Sequence, residues 1–418
     1  MMECKAVQKR DEVYEMYKNV IERAFFSNRN KLSDLHCAVR RFGGYSYKLK
    51  ANPTIEECVR KMDIVKCQND MMHKNELKKL LSKCCNHQLP KNNTLFWDTL
   101  IGTQPVDWNR EGNNSASYHP VLFRLHHAIC DGFGITQLLS VMLDKIPYEN
   151  QDSLESHLEK AKEGSPFKTV LHQIVATLYA VVFNISDILL AVLQTEEPNA
   201  FRGTTLSNDE IFTMKVDNGE YFRKVKHIKS DLPHASFSGI ILTAFSASFK
   251  EYFDTHVHDC PERINLIVPY LRKTTSLSRL PQIDADHVSL QNSFVMFVLD
   301  FPLITKNNQL LERLNLVQAC ALRSSTSVGS KTVYYWSKIA LQVFPMFLLA
   351  LADDLLQATT VLSILPGPGP VSLAGGKMKI RNALFWIPLV AKMGKNPLLY
   401  SIYSSSVHSA KFHSDQLF

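Results

Sequence analysis

Apolar positions along this chain recur with two periods, and the switch between them marks out its elements. Asp11 to Phe25, "DEVYEMYKNVIERAF", sets Val13, Tyr17, Val20, Ile21 and Ala24 at three- and four-residue steps, which predicts one helical face. "YSYKLKA" after Gly43 and Gly44 predicts a strand, residues 54–66 and 73–89 predict helices, and Pro90 with Asn92 and Asn93 ends the second of them. "TLFWDTLIG" and "YHPVLFRLHH" read as strands on either side of the polar loop "NREGNNSAS". From Gly134 the period changes again, with Ile135, Leu138, Leu139, Met142, Leu143 and Ile146 on one helical stripe.

After Glu196, Glu197 and Pro198 the rhythm restarts. "DEIFTMKVD" predicts a strand, "SGIILTAFSASFKEYF" a helix, and "RINLIVPYL" and "NSFVMFVLDFP" two strands. "NNQLLERLNLVQACALRS" predicts a helix, Val333 to Ala358 a long apolar one, and "RNALFWIPLV" and "PLLYSIYSSSVHSAKF" strands. At 418 residues the chain suits two domains of about 200 residues each, which places a boundary between residues 195 and 205. Both halves mix helices with strands but lack the tight strand–helix–strand spacing of a doubly wound sheet. Neither a phosphate loop nor a dinucleotide fingerprint is present.

Charge is unevenly spread. Residues 1–90 hold 18 Lys/Arg against 11 Asp/Glu, an excess that equals the +7 of the whole chain. Such a basic third suits anionic lipid or a phosphorylated co-substrate, and equally a solvated helical face. The basic residues are not interleaved with stacking aromatics, which argues against nucleic acid. The nine cysteines include no CxxC pair, which points to reduced thiols in an intracellular compartment rather than zinc or disulfides. The first residues, "MMECKAVQKRDEVYEMYK", lack the apolar core of a signal peptide. Val175 to Leu193 and Ala340 to Ala352 approach membrane hydrophobicity but are interrupted by polar residues or Pro345, so buried or interfacial helices are expected.

The chemistry concentrates in "LFRLHHAICDGFG", residues 122–134. Along an extended strand successive side chains alternate faces, so one of His126 and His127 is expected to serve structure while the other meets a substrate. Asp131 follows in the turn, where it can orient an imidazole or pair with an arginine. Gly132 and Gly134 are expected to supply positive φ where the chain reverses. An imidazole held this way suits general-base chemistry near neutral pH. A structural pair is the competing reading. A metal site is disfavoured, because HHxxxD lacks the one-turn histidine spacing of HExxH.

These residues resemble a known signature. His126-His127-Ala128-Ile129-Cys130-Asp131-Gly132 is similar to the HHxxxDG motif of CoA-dependent acyltransferases, a superfamily that includes chloramphenicol acetyltransferase, carnitine acyltransferases and condensation domains. The flanking stretches "LPKNNTLFWDTLIG", "LIVPYLRK", "LQNSF" and "VLSILPGPGPVSLAGGKMKI" resemble elements of the bifunctional wax ester synthase/diacylglycerol acyltransferases. The likeness runs over about residues 10–418.

The resemblance implies an α/β fold of two chloramphenicol-acetyltransferase-like subdomains, residues 1–195 and 205–418, with mixed sheets flanked by helices and a substrate tunnel between them. It implies acyl transfer from acyl-CoA to a long-chain alcohol or diacylglycerol, with no cofactor beyond the acyl-CoA co-substrate and no metal. His127 is then the base, His126 and Asp131 complete the catalytic motif, and Gly132 and Arg272 hold it. Asn292 is a candidate contact to substrate or oxyanion. Residence at the endoplasmic reticulum membrane or a lipid droplet is expected, with access from that surface. A catalytically weak acyl-lipid-binding protein and an acyltransferase for another hydroxyl or amine are the alternatives. Two departures stand out. Ser238-Gly239 replaces an Asn-Asp pair, and the family's first strand and C-terminal tail are expected to be missing, as in a shortened product.

Overall fold

The computed structural model describes residues 2–6, 10–67, 70–107, 117–144, 199, 220–271, 284–292, 294–305, 309–326, 340, 343–349, 358–366, 371–385 and 399–404. Its first lobe is built on a six-stranded sheet. β1 (Met2–Ala6) lies in the middle, antiparallel to β8 (Ser117–Leu125) on one side and to β13 (Met378–Ala383) on the other. Beyond β8 come β6 (Trp97–Ile101), antiparallel, and β4 (Val59–Lys61), parallel to β6. Beyond β13 comes β12 (Val371–Leu373), so residues far along the chain complete the first lobe's sheet.

β1 corrects the expectation of a missing first strand. Its five residues, "MECKA", are too few and too mixed to show a period, and pairing on both edges fixes their conformation.

α1 (Arg10–Ile21) runs into a wider π-type turn and buries the predicted face, with Val13, Tyr17, Val20 and Ile21 at 3% exposure or less. Phe25 meets the Trp97 ring edge-on, with centroids 5.5 Å apart, and Trp97 Nε1 donates to Leu35 O at 2.8 Å, so Trp97 is a core anchor.

The helix expected over 54–66 is reduced to α2 (Ile55–Cys58), one turn closed by a Thr54/Glu57 capping box. The chain then becomes β4, where buried Val59 gains a sheet edge that a surface helix would not give it. α3 (Lys74–Asn86) and the short α4 (Pro90–Asn93) follow. β5 (Met72–His73) pairs with β7 (Val106–Asp107). β2 (Cys37–Phe42) and β3 (Tyr45–Lys50) form a separate hairpin; only β3 is predicted from the sequence. α5 (Gly132–Met142) leaves the histidine motif as expected.

The second lobe holds a four-stranded sheet in the order β10–β9–β11–β14. β9 (Arg263–Leu271) and β10 (Phe294–Pro302) pair antiparallel over nine rungs, and β11 (Thr360–Pro366) runs parallel to β9 and to β14 (Leu399–Ser404). α6 (Glu220–Asp231), α7 (Phe237–Tyr252) and α8 (Leu310–Thr326) accompany it, α6 without any sequence prediction.

The Ser238-Gly239 departure leaves α7 intact. Ser236 caps it by accepting from Gly239 N at 2.9 Å, and a Cβ on residue 239 would lie 2.6 Å from Gln318 of α8. Among the described residues no helix is long and apolar enough to cross a membrane. The segment "DEIFTMKVD", the stretch Val175 to Leu193 and most of the predicted helix Val333 to Ala358 lie outside the described residues.

Candidate active site

β8 ends at Leu125, and its hydrogen bonding reaches one residue further through His126 N to Phe96 O at 2.7 Å. The chain then turns: Ile129 N donates to His126 O at 3.0 Å, and Ala128 N donates to His126 Nδ1 at 3.1 Å. Strand alternation therefore stops before His127, so the two rings are not assigned to opposite faces of the strand. His126 packs edge-on against Phe96, with centroids 5.7 Å apart. His126 and His127 are both exposed, and the His127 carbonyl accepts from Asn292 Nδ2 at 2.9 Å. The surrounding protein lowers the His126 pKa from its ordinary value, and the charges of His127 and Arg41 lower it further.

Asp131 is buried and caps α5, accepting from Phe133 N and Gly134 N at 3.0 Å each. Its carboxylate satisfies helix-end donors and so fixes the angle at which the turn leaves the strand. Gly132 and Gly134 sit inside α5 rather than at left-handed positions, which corrects the expectation of positive φ. Gly134 is required for another reason: a Cβ there would lie 2.4 Å from Cys130 Cβ, so the turn and helix touch backbone to side chain. Cys130 is buried, and burial pushes its thiol pKa far up, which leaves it inert as a nucleophile.

Beneath the turn lies a buried charge pair that sequence reasoning missed. Asp98 of β6 stands opposite Arg124 of β8 and is fully buried. Arg124 Nε and Nη2 reach its two oxygens at 2.8 and 2.6 Å, and Arg60 of β4 reaches it as well. Arg124 Nη1 also donates to Cys84 O and His87 O at the end of α3, both at 2.7 Å. A signal was available: Asp98 stands within "LFWDTLI" and Arg124 within "VLFRL", single opposite charges in apolar stretches of the two strands.

Segment 284–292 of the second lobe closes against the turn. Besides the Asn292 contact, Ser289 N donates to Gln137 Oε1 at 3.0 Å, and Lys31 pairs with Asp286 at 2.6 Å. Asn292 thus holds the His127 backbone, while its buried Oδ1 has no hydrogen-bond partner among the described residues. His126, His127, Asp131, Gly132 and Asn292 therefore meet in one place, whereas Arg272 lies outside the described residues. Among the described residues no group of His, Cys, Asp and Glu is arranged to hold a metal ion.

No family model matches the sequence, and no curated protein does. Solved structures do. The wax ester synthase/diacylglycerol acyltransferase from Marinobacter aquaeolei is similar with a TM-score of 0.52 and 12% identity, over 97% of this chain and 86% of that one. The chain has a two-lobed, condensation-domain-like α/β fold. The first condensation domain of the CDA synthetase is similar at the same TM-score of 0.52, with 10% identity over 97% and 81% of the two chains. A complex of the calcium-dependent antibiotic synthetase's first condensation domain with a substrate analogue gives 0.50, with 10% identity over 96% and 82%. The two-lobed α/β fold accords with the resemblance drawn from the motif.

Proposed function

We propose that the chain is an acyl-CoA-dependent O-acyltransferase that esterifies a long-chain alcohol or diacylglycerol, with His127 as general base. One observation carries this reading: an exposed imidazole on a turn held by the Phe96 carbonyl before it, the Asp131 cap after it and Asn292 from the other lobe. A turn whose backbone is fixed on three sides narrows the positions open to its imidazole, which is where positioning lowers a barrier.

In this reading the acceptor hydroxyl gives its proton to His127 as its oxygen attacks the thioester carbonyl. The tetrahedral oxyanion collapses, the carbon–sulfur bond breaks, and the departing thiolate takes the proton back from the imidazolium. The products are ester and free CoA, and the base is regenerated. The second N–H of the Asn292 amide is the candidate donor to the oxyanion. A passage between the lobes for the acyl chain and acceptor belongs to the same proposal.

Amide formation is the second reading, supported by the equal likeness to a condensation domain. Labelled palmitoyl-CoA supplied with hexadecanol, diacylglycerol or a long-chain amine separates the two. Label in wax ester or triacylglycerol supports the first reading, and label in amide alone replaces it with the second. Acyl-CoA binding without transfer to any acceptor contradicts both and favours a binding protein.

A further inference from the structure

The β2–β3 hairpin projects beside the histidine turn. Its two strands are joined by Gly43 and Gly44 at φ of 58° and 81°. Pairing decides which residues share a face. Phe42 opposite Tyr45, Arg40 opposite Tyr47 and Ala38 opposite Leu49 occupy one side; Arg41, Lys48 and Lys50 occupy the other.

Residues 343–349 lean on the hairpin tip. Met346 N donates to Gly44 O at 2.8 Å, Tyr45 OH donates to Val343 O at 3.1 Å, and the Phe347 ring lies 3.8 Å from where a Gly44 Cβ would be. The combined surface keeps its large apolar side chains in water. Phe42 is 80% exposed and Phe347 67%, and Tyr47, Leu49, Phe344 and Met346 are exposed with them. A continuous apolar patch of this kind marks an interaction surface.

The cations stand behind the apolar tip in order. Arg41 is one residue back from Phe42 and Arg40 two, roughly 3.4 and 7 Å along the strand. Arg40, Arg41 and Lys50 form no ion pair with a carboxylate among the described residues, while Lys48 pairs with Asp34 at 3.3 Å. Phe42 and Phe347 at the tip, with Arg41, Arg40 and Tyr47 up to about 7 Å behind, match the depth order of a bilayer interface. An interfacial apolar face sinks about 5–10 Å into the headgroup/acyl boundary, and anionic headgroups attract the cations.

We propose that the hairpin tip and residues 343–349 form a docking surface for an anionic lipid membrane. The base of the hairpin is joined to the segment just before β6, which bonds to the residue that follows β8. Val39 N donates to Thr94 O at 2.8 Å, Ala38 bridges to Leu95, and the next carbonyl, that of Phe96, accepts from His126 N. A lipid that leaves the membrane at the tip emerges within about 13 Å of that junction, four extended residues away. Delivery of the acceptor rests on the acyl-transfer reading; the docking does not.

Vesicle flotation of the full chain tests the docking. The vesicles are phosphatidylcholine, with or without about one-third phosphatidylserine. The wild type should float with the anionic vesicles, less so at high salt. Phe42→Ser/Phe347→Ser should lower the partition on the order of tenfold, and Arg40→Gln/Arg41→Gln should lower it by a similar factor on anionic vesicles only. His127→Ala should float as the wild type does, so a lost reaction and a lost surface are read separately. All of these positions are exposed, and far-UV circular dichroism checks that each variant is folded. Unchanged flotation of both double variants overturns the proposal. So does a solution dimer that Phe42→Ser/Phe347→Ser dissociates with vesicle binding unaltered, which would assign the patch to a second copy of the chain.

Discussion

Arg124 in the first lobe and Arg313 in the second are both withdrawn from water, yet they are held by different chemistry. Arg124 meets a fully buried carboxylate, Asp98, and two carbonyls at the end of α3. Arg313, 1% exposed, donates to Ser246 Oγ at 2.7 Å and Leu303 O at 2.6 Å, both neutral acceptors. Burial acts to lower the pKa of both. At Arg124 the hydrogen bonds and charge of Asp98 more than offset it and the pKa is raised, whereas at Arg313 burial prevails and it is lowered. The difference follows position. Arg124 lies two residues before the histidine pair and ties β4, β6, β8 and α3 together under it, while Arg313 joins α8 to α7 and to the residue after β10. At Arg124 a buried carboxylate compensates the charge beside the turn that carries the histidines.

The largest expected effect comes from breaking the compensated pair. Asp98→Ala leaves two arginines facing a buried, uncharged site and should cost about 3–5 kcal/mol in urea unfolding. Arg313→Met removes a desolvated charge together with its hydrogen bonds, and these oppose one another, so the change should stay below about 1.5 kcal/mol. Equal losses would erase the distinction between the lobes.

Between these lies the cap. Asp131→Ala exposes two helix-end N–H donors and should cost about 1–2 kcal/mol. Asp131→Asn, which retains an oxygen acceptor, should recover most of that stability by thermal unfolding. If Asn recovers none, the carboxylate acts through its charge rather than as a cap.

A smaller effect depends on pH. The pKa values of His126 and of buried His36 are both lowered by burial, His36 while its Nε2 donates to Phe25 O at 3.2 Å. Below the ordinary value of 6.5 the unfolded chain binds these protons before the folded chain does, so stability falls as pH drops from 6.5 toward the lowered values. The urea midpoint should therefore decrease from pH 7.5 to pH 5.5, and less steeply in His36→Leu. A midpoint that rises toward acid would reverse the assigned direction.

Long periodic segments were legible in the sequence: α1, α3, α5, α7 and α8, and strands β6, β8, β9 and β10, because each repeats its apolar spacing over several turns or rungs. β1, β4 and β12 were not, since strands of three to five residues carry too little pattern and owe their state to partners distant in sequence. The histidine motif was readable as a motif, but its support was only partly so. Asp131 could be placed in the turn, while the Asp98–Arg124 rung depends on β6–β8 register and the Asn292 bond on a contact 165 residues away. The glycine argument erred instructively: Gly134 is required by its approach to Cys130, a tertiary fact that no local rule contains.

The account turns on which ring does chemistry, and rates of labelled acyl transfer by folded His126→Ala and His127→Ala measure that directly. Loss of roughly 10²–10⁴-fold in His127→Ala, with a clearly smaller loss in His126→Ala, is the predicted outcome. Transfer by His127→Ala at the wild-type rate, or the opposite ranking of the two variants, would contradict it.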